Sequence, residues 1–338
     1  HMDIAASIQA VTEEIVIKIT KFLYKEFKIP NLCMAGGVAL NCVANGKILK
    51  EGSFKNIWIQ PASGDAGGAL GAAQAFYFQE LGNKRKTFET DSMKGSYLGP
   101  QFSDVEIESQ LKICGAVFQK LSEEDLLDNV ASYLADGKAV GFMQGRMEFG
   151  PRALGSRSII ADPRSPLMQK KLNLKVKYRE SFRPFAPSIL YEHIGDWFEN
   201  NFYSPYMLLV DEIRKDKQRI MSKEENELFG IDKLNIPRSS IPAVTHVDYS
   251  ARIQTVHKHT NPKFYAVISK FKEKTGCPLV VNTSFNIRGE PIVCTPVDAF
   301  KCFMGTEIEA LAIGNYFLIK NDQTKSLKDN YKDQYNLD

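Results

Sequence analysis

Residues 31–73 read "NLCMAGGVALNCVANGKILKEGSFKNIWIQPASGDAGGALGAA". Two short apolar runs, "NLCM" and "IWIQ", each end in a turn of small residues and lead into a stretch of helical composition. The first stretch, "VALNCVANGKILKEG", closes at Gly52, a residue suited to ending a helix. The second opens on the glycine- and alanine-rich "SGDAGGALGAA". This strand–turn–helix series predicts an α/β layer, small enough to be part of a domain.

Working outward, Asp3 can cap a helix in which Ile8, Val11, Ile15, Ile19, Phe22 and Leu23 recur at helical spacing, and Pro30 ends it. Downstream, "GNKRKTFETDSMKGS" (82–96) is polar and turn-forming and marks a boundary. We therefore assign residues 1–88 to a first α/β unit, 97–321 to a second α/β domain with a mixed twisted sheet, and 322–338 to a polar tail. The second domain contains the capped amphipathic helix "SEEDLLDNVASYLADGK", the buried strand "AVGFMQG", and the helix "PKFYAVISKFKEKTG". The strand "CPLVVNTSF", the helix "TPVDAFKCFMGT" and the strand "ALAIGNYFLIK" follow. The polar insert at 214–240 fixes no conformation.

Composition narrows the function. The 338 residues are 43% apolar with a net charge of +3, and no apolar run reaches the roughly 18 residues of a membrane span. No membrane partner is expected. The start "HMDIAASIQ" lacks a signal-peptide layout, and His1-Met2 reads as a cloning remnant. Six scattered cysteines without a C-x-x-C pair fit neither a zinc knuckle nor a disulfide framework, so a reducing cytoplasm is the expected location. The charge is uneven. Between Gly145 and Arg183 lie ten basic and three acidic residues, a local net of +7. That concentration indicates a site more than a generally basic surface.

Its centre is "GRMEFGPRALGSRSII" (145–160), with Arg146, Arg152 and Arg157 on one Gly/Pro-shaped loop after a buried strand. Arginines present forked donors suited to phosphate or carboxylate. Lys177, Arg179 and Arg183 follow in "VKYRESFRPFAP". "VVNTSFNIRGEPIV" ends a strand in amides and hydroxyls that can orient a small carbonyl or satisfy a turn. His246 and Asp248 form a pair that fits a structural or a catalytic role. Asp65, at a helix start, fits either a cap or a ligand. Arg146 can pair with Glu148 or face solvent.

The stretches "GGVALN", "GDAGGALGAA", "EFGPRALGSRSI-ADPR", "VKYRESFRPFAP", "THVD-SAR-QTV" and "NTSFN-RGEPIV" together resemble the nodulation-type O-carbamoyltransferases, in that family's order and across most of the chain from Met34 to about Ile319. The resemblance implies the later part of an actin-like, ATPase-type (ASKHA) domain followed by a YrdC-like domain that makes carbamoyl-adenylate from ATP and carbamoyl phosphate. It implies transfer of the carbamoyl group to a hydroxyl of a small-molecule or saccharide acceptor.

Carried over by position, Arg152, Lys177, Arg183, Arg252, Ser284 and Asn286 would contact carbamoyl and phosphate groups, with Arg157, Arg179 and Asn282 as neighbours. Gly36, Gly37, Asn41 and Gly64 would line an adenylate pocket. Asp65 would be a metal ligand, with Mg2+ beside the nucleotide and Fe2+ in a site that is incomplete here. The family's metal-binding histidines lie upstream, and the sole histidine before His193 is His1. The chain thus reads as a C-terminal piece or one part of a split protein, with the missing N-terminal half as a partner and only the adenylate-forming step expected. Oligomeric state and the acceptor's identity are left open. A threonylcarbamoyl-adenylate relative acting on tRNA, and a non-catalytic nucleic-acid-binding module, are the alternatives. Nucleic acid is not the expected partner, because little aromatic interleaving accompanies the charge.

Overall fold

The computed structural model describes residues 1–87, 90–234, 236–324, 331 and 335. The end of the first assigned unit at Phe88 and most of the polar tail at 322–338 lie outside the described residues.

The opening stretch folds as its pattern predicts. Helix α1 (Met2–Phe27) ends at Lys28 in the left-handed region. Strands β1 (Asn31–Met34) and β2 (Asn56–Ile59) pair in parallel, with Asn31 opposite Asn56. Between them α2 (Cys42–Glu51) is capped by the Asn41 side chain, which accepts from Ala44 N, and stops at Gly52. Helix α3 (Asp65–Ala75) follows β2 and runs into a π-helical turn at Phe76–Glu80.

One detail departs from a simple amphipathic reading. Helix α1 meets α2 with its polar side, through the Glu13–Lys47 ion pair and Gln9 against Asn41. Its apolar stripe of Ile8, Val11, Ile15, Ile19 and Phe22 stays 51–66% exposed.

A nine-stranded mixed sheet occupies the rest of the chain. Its strands are β3 (Gln119–Lys120), β4 (Val140–Met143), β5 (Arg157–Ala161), β6 (Ala186–Leu190), β7 (Leu209–Glu212), β8 (Ser250–Val256), β9 (Leu279–Ser284), β10 (Ala310–Ile313) and β11 (Tyr316–Ile319). They lie in the order β3-β11-β10-β4-β5-β9-β6-β8-β7. The β10–β4 and β6–β8 pairs are parallel and the remainder antiparallel. Every residue of β4, β5 and β6 is buried; β4 accordingly reads as an apolar run without alternation, while β5 and β6 bury the polar Arg157, Ser158 and Ser188.

Helices α4 (Asp104–Ile113), α5 (Glu123–Ala135), α6 (Met168–Lys175) and α7 (Ile194–Trp197) precede the insert, which forms α8 (Lys223–Glu227) and α9 (Gly230–Leu234). Helices α10 (Pro262–Thr275) and α11 (Pro296–Gly305) complete the chain. The fold is therefore α/β with a large mixed sheet.

A second apolar cluster joins the small parallel pair to the large sheet. Ala39 and Ile59 from the first unit meet Leu154, Ala186, Tyr206 and Leu208. Buried Asn45 donates to Ala39 O at 2.8 Å and to Leu208 O at 3.0 Å. Gly46 lies against β7 so closely that a Cβ would stand 2.7 Å from Val210 Cγ2.

Candidate active site

The connection 144–156 between β4 and β5 is shaped by a carboxylate. Glu148 is 6% exposed, and its Oε1 accepts from Leu154 N at 2.6 Å and Ser156 N at 2.8 Å. From outside, Leu154 O accepts from Tyr97 Oη at 2.7 Å and Gln254 Nε2 at 2.8 Å. Gly155 has φ +105°, and a Cβ there would stand 2.2 Å from Phe264 Cδ1. Only glycine meets both demands.

The three arginines of this loop separate into three roles. Arg146 is exposed and donates to Gly99 O at 3.2 Å, while Glu148 serves the loop backbone instead of pairing with it. Arg157 is fully buried and donates to the carbonyls of Ser156, Pro100, Gln144, Gly145 and Cys294. Arg157, expected as a neighbour of the ligand, gives its guanidinium to backbone oxygens and lies outside the lining of the recess described next. Arg152 alone of the three enters the recess.

That recess, of about 740 Å³, is lined by Arg152, Arg179, Arg183, Arg252, Asn282, Thr283 and Ser284 among others. A second recess of about 800 Å³ shares Arg179, Arg183 and Ser284 with it and adds Lys177, Asn286, Arg288 and Glu290. The two are continuous through these shared residues.

Arg183 pairs with Glu180 at 3.0 Å. Among the described residues, Arg152, Lys177, Arg179 and Arg252 have no carboxylate within ion-pair distance. Arg179 instead donates to Asn173 Oδ1 at 2.7 Å and lies 5.1 Å from the Phe185 ring centroid.

Burial and mutual repulsion act together on these cations. Burial pushes Arg252 down to about 10, with Arg152 adding to it, and burial then Arg183 push Arg179 to about 10. Arg152 is also lowered by burial. Lys177 falls to about 7, chiefly by burial and then by Arg179. Part of each shift is repulsion between neighbouring cations at Arg252, Arg179 and Lys177, which an anion in the recess would relieve.

Lys177 Nζ donates to Asn286 O and Oδ1, both at 2.8 Å, to Ser284 Oγ at 3.2 Å, and to Ser284 O. Ser284 Oγ donates to Asn286 Oδ1 at 2.6 Å. Glu290 Oε2 accepts from Ile287 N at 2.7 Å and so holds the turn beyond them. Lys177, Ser284 and Asn286, distant in sequence, thus form one polar knot at the end of β9. Sequence reading missed Asn173, Ser188 and Gln254, which orient the lining from behind. The available signal was a polar residue inside an otherwise buried helix or strand, as in "ARIQTV".

The first unit's candidates are placed differently. Cys42, at the start of α2, is an electrostatic neighbour of both Arg152 and Arg252. Asn41, expected at the nucleotide, serves here as the α2 cap and donates to Gln9 Oε1 at 2.9 Å. Gly36, Gly37 and Gly64 line neither recess. Asp65 stands in the first turn of α3, and no group of three His, Cys, Asp or Glu residues comes together among the described residues. One carboxylate does not make a cage for Fe2+. Asp248 accepts from Ser250 N and Oγ in a turn, the structural alternative for the His246–Asp248 pair.

Residues 131–320 match a family model for the carbamoyltransferase C-terminus, and residues 1–74 one for the carbamoyltransferase N-terminus. The second match places a segment of that N-terminal region within this chain. An uncharacterised protein of Synechocystis sp. PCC 6803 is 57% identical over all of this chain and 55% of its own length. Nodulation protein NolNO of Sinorhizobium fredii is 39% identical over 95% of this chain and 44% of its own. Nodulation protein NolO of Bradyrhizobium diazoefficiens is 38% identical over 95% and 55%. The chain spans about half the length of the curated relatives it matches. A crystal structure of full-length HypF in a phosphate- and nucleotide-bound form aligns with 52% of this chain and 19% of that one, at 16% identity and a TM-score of 0.32, too weak a likeness to argue from.

Proposed function

The chain belongs to the carbamoyltransferase family, and from that premise we propose that its cationic recess binds carbamoyl phosphate and ATP and joins them as carbamoyl-adenylate, for transfer to a hydroxyl of a small-molecule or saccharide acceptor. The observation that carries this reading is the convergence of Arg152, Arg179, Arg252 and Lys177, which have no carboxylate partner among the described residues. Two phosphorylated reactants bring several negative charges to one place, and fixed donors are the main device for holding them.

In this scheme carbamoyl phosphate loses its phosphate to water, and a carbamate oxygen then attacks the α-phosphorus of ATP. The bond to the bridging β-phosphate oxygen breaks, and pyrophosphate leaves. Arg152 and Arg252 would hold the acyl-phosphate end, since both lie in the recess that Lys177 does not reach. Lys177, fixed by Ser284 and Asn286, would meet the phosphate chain in the adjoining recess. Mg2+ would accompany the nucleotide. The described residues do not supply a cage for Fe2+, and no step is assigned to it. Residues 1–88 would belong to the transfer domain and 97–321 to the adenylate-forming one, with a cytoplasmic location.

The test is pyrophosphate release by the purified protein given ATP and carbamoyl phosphate. Arg152→Ala and Lys177→Ala are expected to abolish it. Wild-type protein that neither binds carbamoyl phosphate nor releases pyrophosphate would overturn the reading.

A further inference from the structure

We propose that the side-chain carbonyl of Asn282 accepts a hydrogen bond from the carbamoyl amide of the ligand, making Asn282 the specificity-determining residue for a carbamoyl donor over other acyl phosphates. The inference rests on the proposed use of carbamoyl phosphate and adds what in the recess tells that compound from its isosteres.

The cationic lining does not. Arg152, Arg179, Arg183 and Arg252 offer donors and no acceptor, which suits any phosphate. The amide end of carbamoyl phosphate carries two N–H donors and needs an acceptor. Ser284 Oγ is engaged with Lys177 and Asn286. Asn282 is 1% exposed, lines the same recess, and its Oδ1 has no hydrogen-bond partner.

The orientation of that amide follows from its neighbours. The carbonyl of Leu154 accepts from Gln254 Nε2 at 2.8 Å, which turns Gln254 Oε1 toward Ser188 Oγ at 2.6 Å. The same Oε1 accepts from Asn282 Nδ2 at 2.9 Å. Asn282 Nδ2 also lies 3.0 Å from Ser188 Oγ and 3.3 Å from Ala153 O. Flipping Asn282 would set its carbonyl against two other carbonyl oxygens. The nitrogen therefore points into the network, and the oxygen is left over.

A second atom strengthens the case. Arg152 Nε, in the wall of the same recess, is likewise buried without a partner. An orphan acceptor and an orphan donor in one wall match a ligand that has both an amide N–H and phosphate oxygens. Leaving both unmade is costly in a folded core, and an apolar residue between Ile160 of β5 and Ala186 of β6 would have been the cheaper choice for packing alone. The loop that presents Arg152 and the amide that presents Asn282 share one anchor, Leu154 O.

Calorimetric titration of the wild-type protein with carbamoyl phosphate, acetyl phosphate and inorganic phosphate tests this, because acetyl phosphate replaces the amide with a methyl group. Carbamoyl phosphate is expected to bind roughly tenfold or more tightly than acetyl phosphate, as for a site built around a ligand N–H. Asn282→Leu is expected to equalise the two. Gln254→Met, which frees the amide to turn, should narrow the gap. If Asn282→Leu does not fold, the wild-type ratio decides alone.

Binding of inorganic phosphate and both acyl phosphates with equal affinity would overturn the inference and leave the proposed function standing. No binding of any of the three would overturn both. Indifference between the acyl phosphates, with an Asn282-dependent preference for ATP over inosine triphosphate, would place the adenine amino group there instead and also overturn it.

Discussion

Glu148 Oε1 stands 2.6 Å from the backbone nitrogen of Leu154, and this contact bends the loop whose outer turn carries Arg152. The same oxygen accepts from Ser156 N, so one buried carboxylate replaces the partners that two loop N–H groups would otherwise find in water. The acid in "MEFGPRALG" is thus part of the loop's frame and not a counter-ion to its arginines.

Glu148→Ala should accordingly cost about 2–4 kcal/mol, the range for stranding buried donors and opening a cavity. Glu148→Gln should cost much less, because an amide oxygen at the same place can accept from both nitrogens. Urea denaturation with an unchanged slope checks the pair. Equal loss in both variants would mean that the charge, and not the acceptor, holds the loop.

The arginine recess should show the opposite balance. Arg252 is buried beside Arg152, with no carboxylate partner among the described residues, and burial and that neighbour both lower it. Arg252→Met should therefore leave the melting temperature equal or higher. It should weaken carbamoyl phosphate binding by about 2–5 kcal/mol, as expected when one member of a buried charge contact is removed. Differential scanning fluorimetry and titration calorimetry on one preparation read both quantities.

Sequence reading reached the strand–turn–helix order of residues 31–73, the buried strand into the loop, and the gathering of Lys177, Arg183, Arg252 and Ser284, because each is written in local pattern or in motif. It set Arg152 on the ligand and Arg157 beside it as a neighbour, without showing how different their surroundings are. Both are arginines in one short stretch, and their difference arises only when β5 pairs with β4, which sets the carbonyls of Gln144, Gly145 and Ser156 around Arg157, and when those of Pro100 and Cys294 close over it. The cap that Asn41 makes was not legible either, because a helix cap and a ligand contact ask for the same side chain. Gln254 and Ser188 were invisible because their function is to orient Asn282 across three neighbouring strands. The outward face of α1 was unreadable too, since a 3.6-residue period tells that a stripe exists and not what lies over it.

Gly155 offers a direct test of loop geometry. Its φ of +105° is unfavourable for any residue with a Cβ, and Phe264 occupies the place where that Cβ would go. Gly155→Ala should destabilise the protein by roughly 3 kcal/mol or more, from strain and overpacking together. Gly137→Ala makes the control, because Gly137 also has positive φ, at +71°, while a Cβ there would meet nothing within 4 Å. Its smaller loss isolates the backbone component, and the difference between the two melting curves measures the clash with Phe264.

The last prediction concerns Lys177, which burial and Arg179 lower to about 7. For stability the sign is set by a depressed lysine. Below about 7 both folded and unfolded chains hold the proton, and the cost of the buried cation is complete. Between there and the ordinary lysine value the folded state has released it, so that cost shrinks as pH rises. Ligand binding runs the other way, because only the protonated amine attracts a phosphate. Pyrophosphate affinity should fall as pH rises through about 7, although pyrophosphate itself gains negative charge over that range, which alone would tighten binding. Lys177→Met should bind more weakly at about pH 6 and lose the downward step. Calorimetry from about pH 6 to about pH 9 on both proteins separates the ligand's titration from the lysine's. A wild-type affinity that does not fall relative to Lys177→Met would mean that the oxygens of Ser284 and Asn286 keep the ammonium charged throughout.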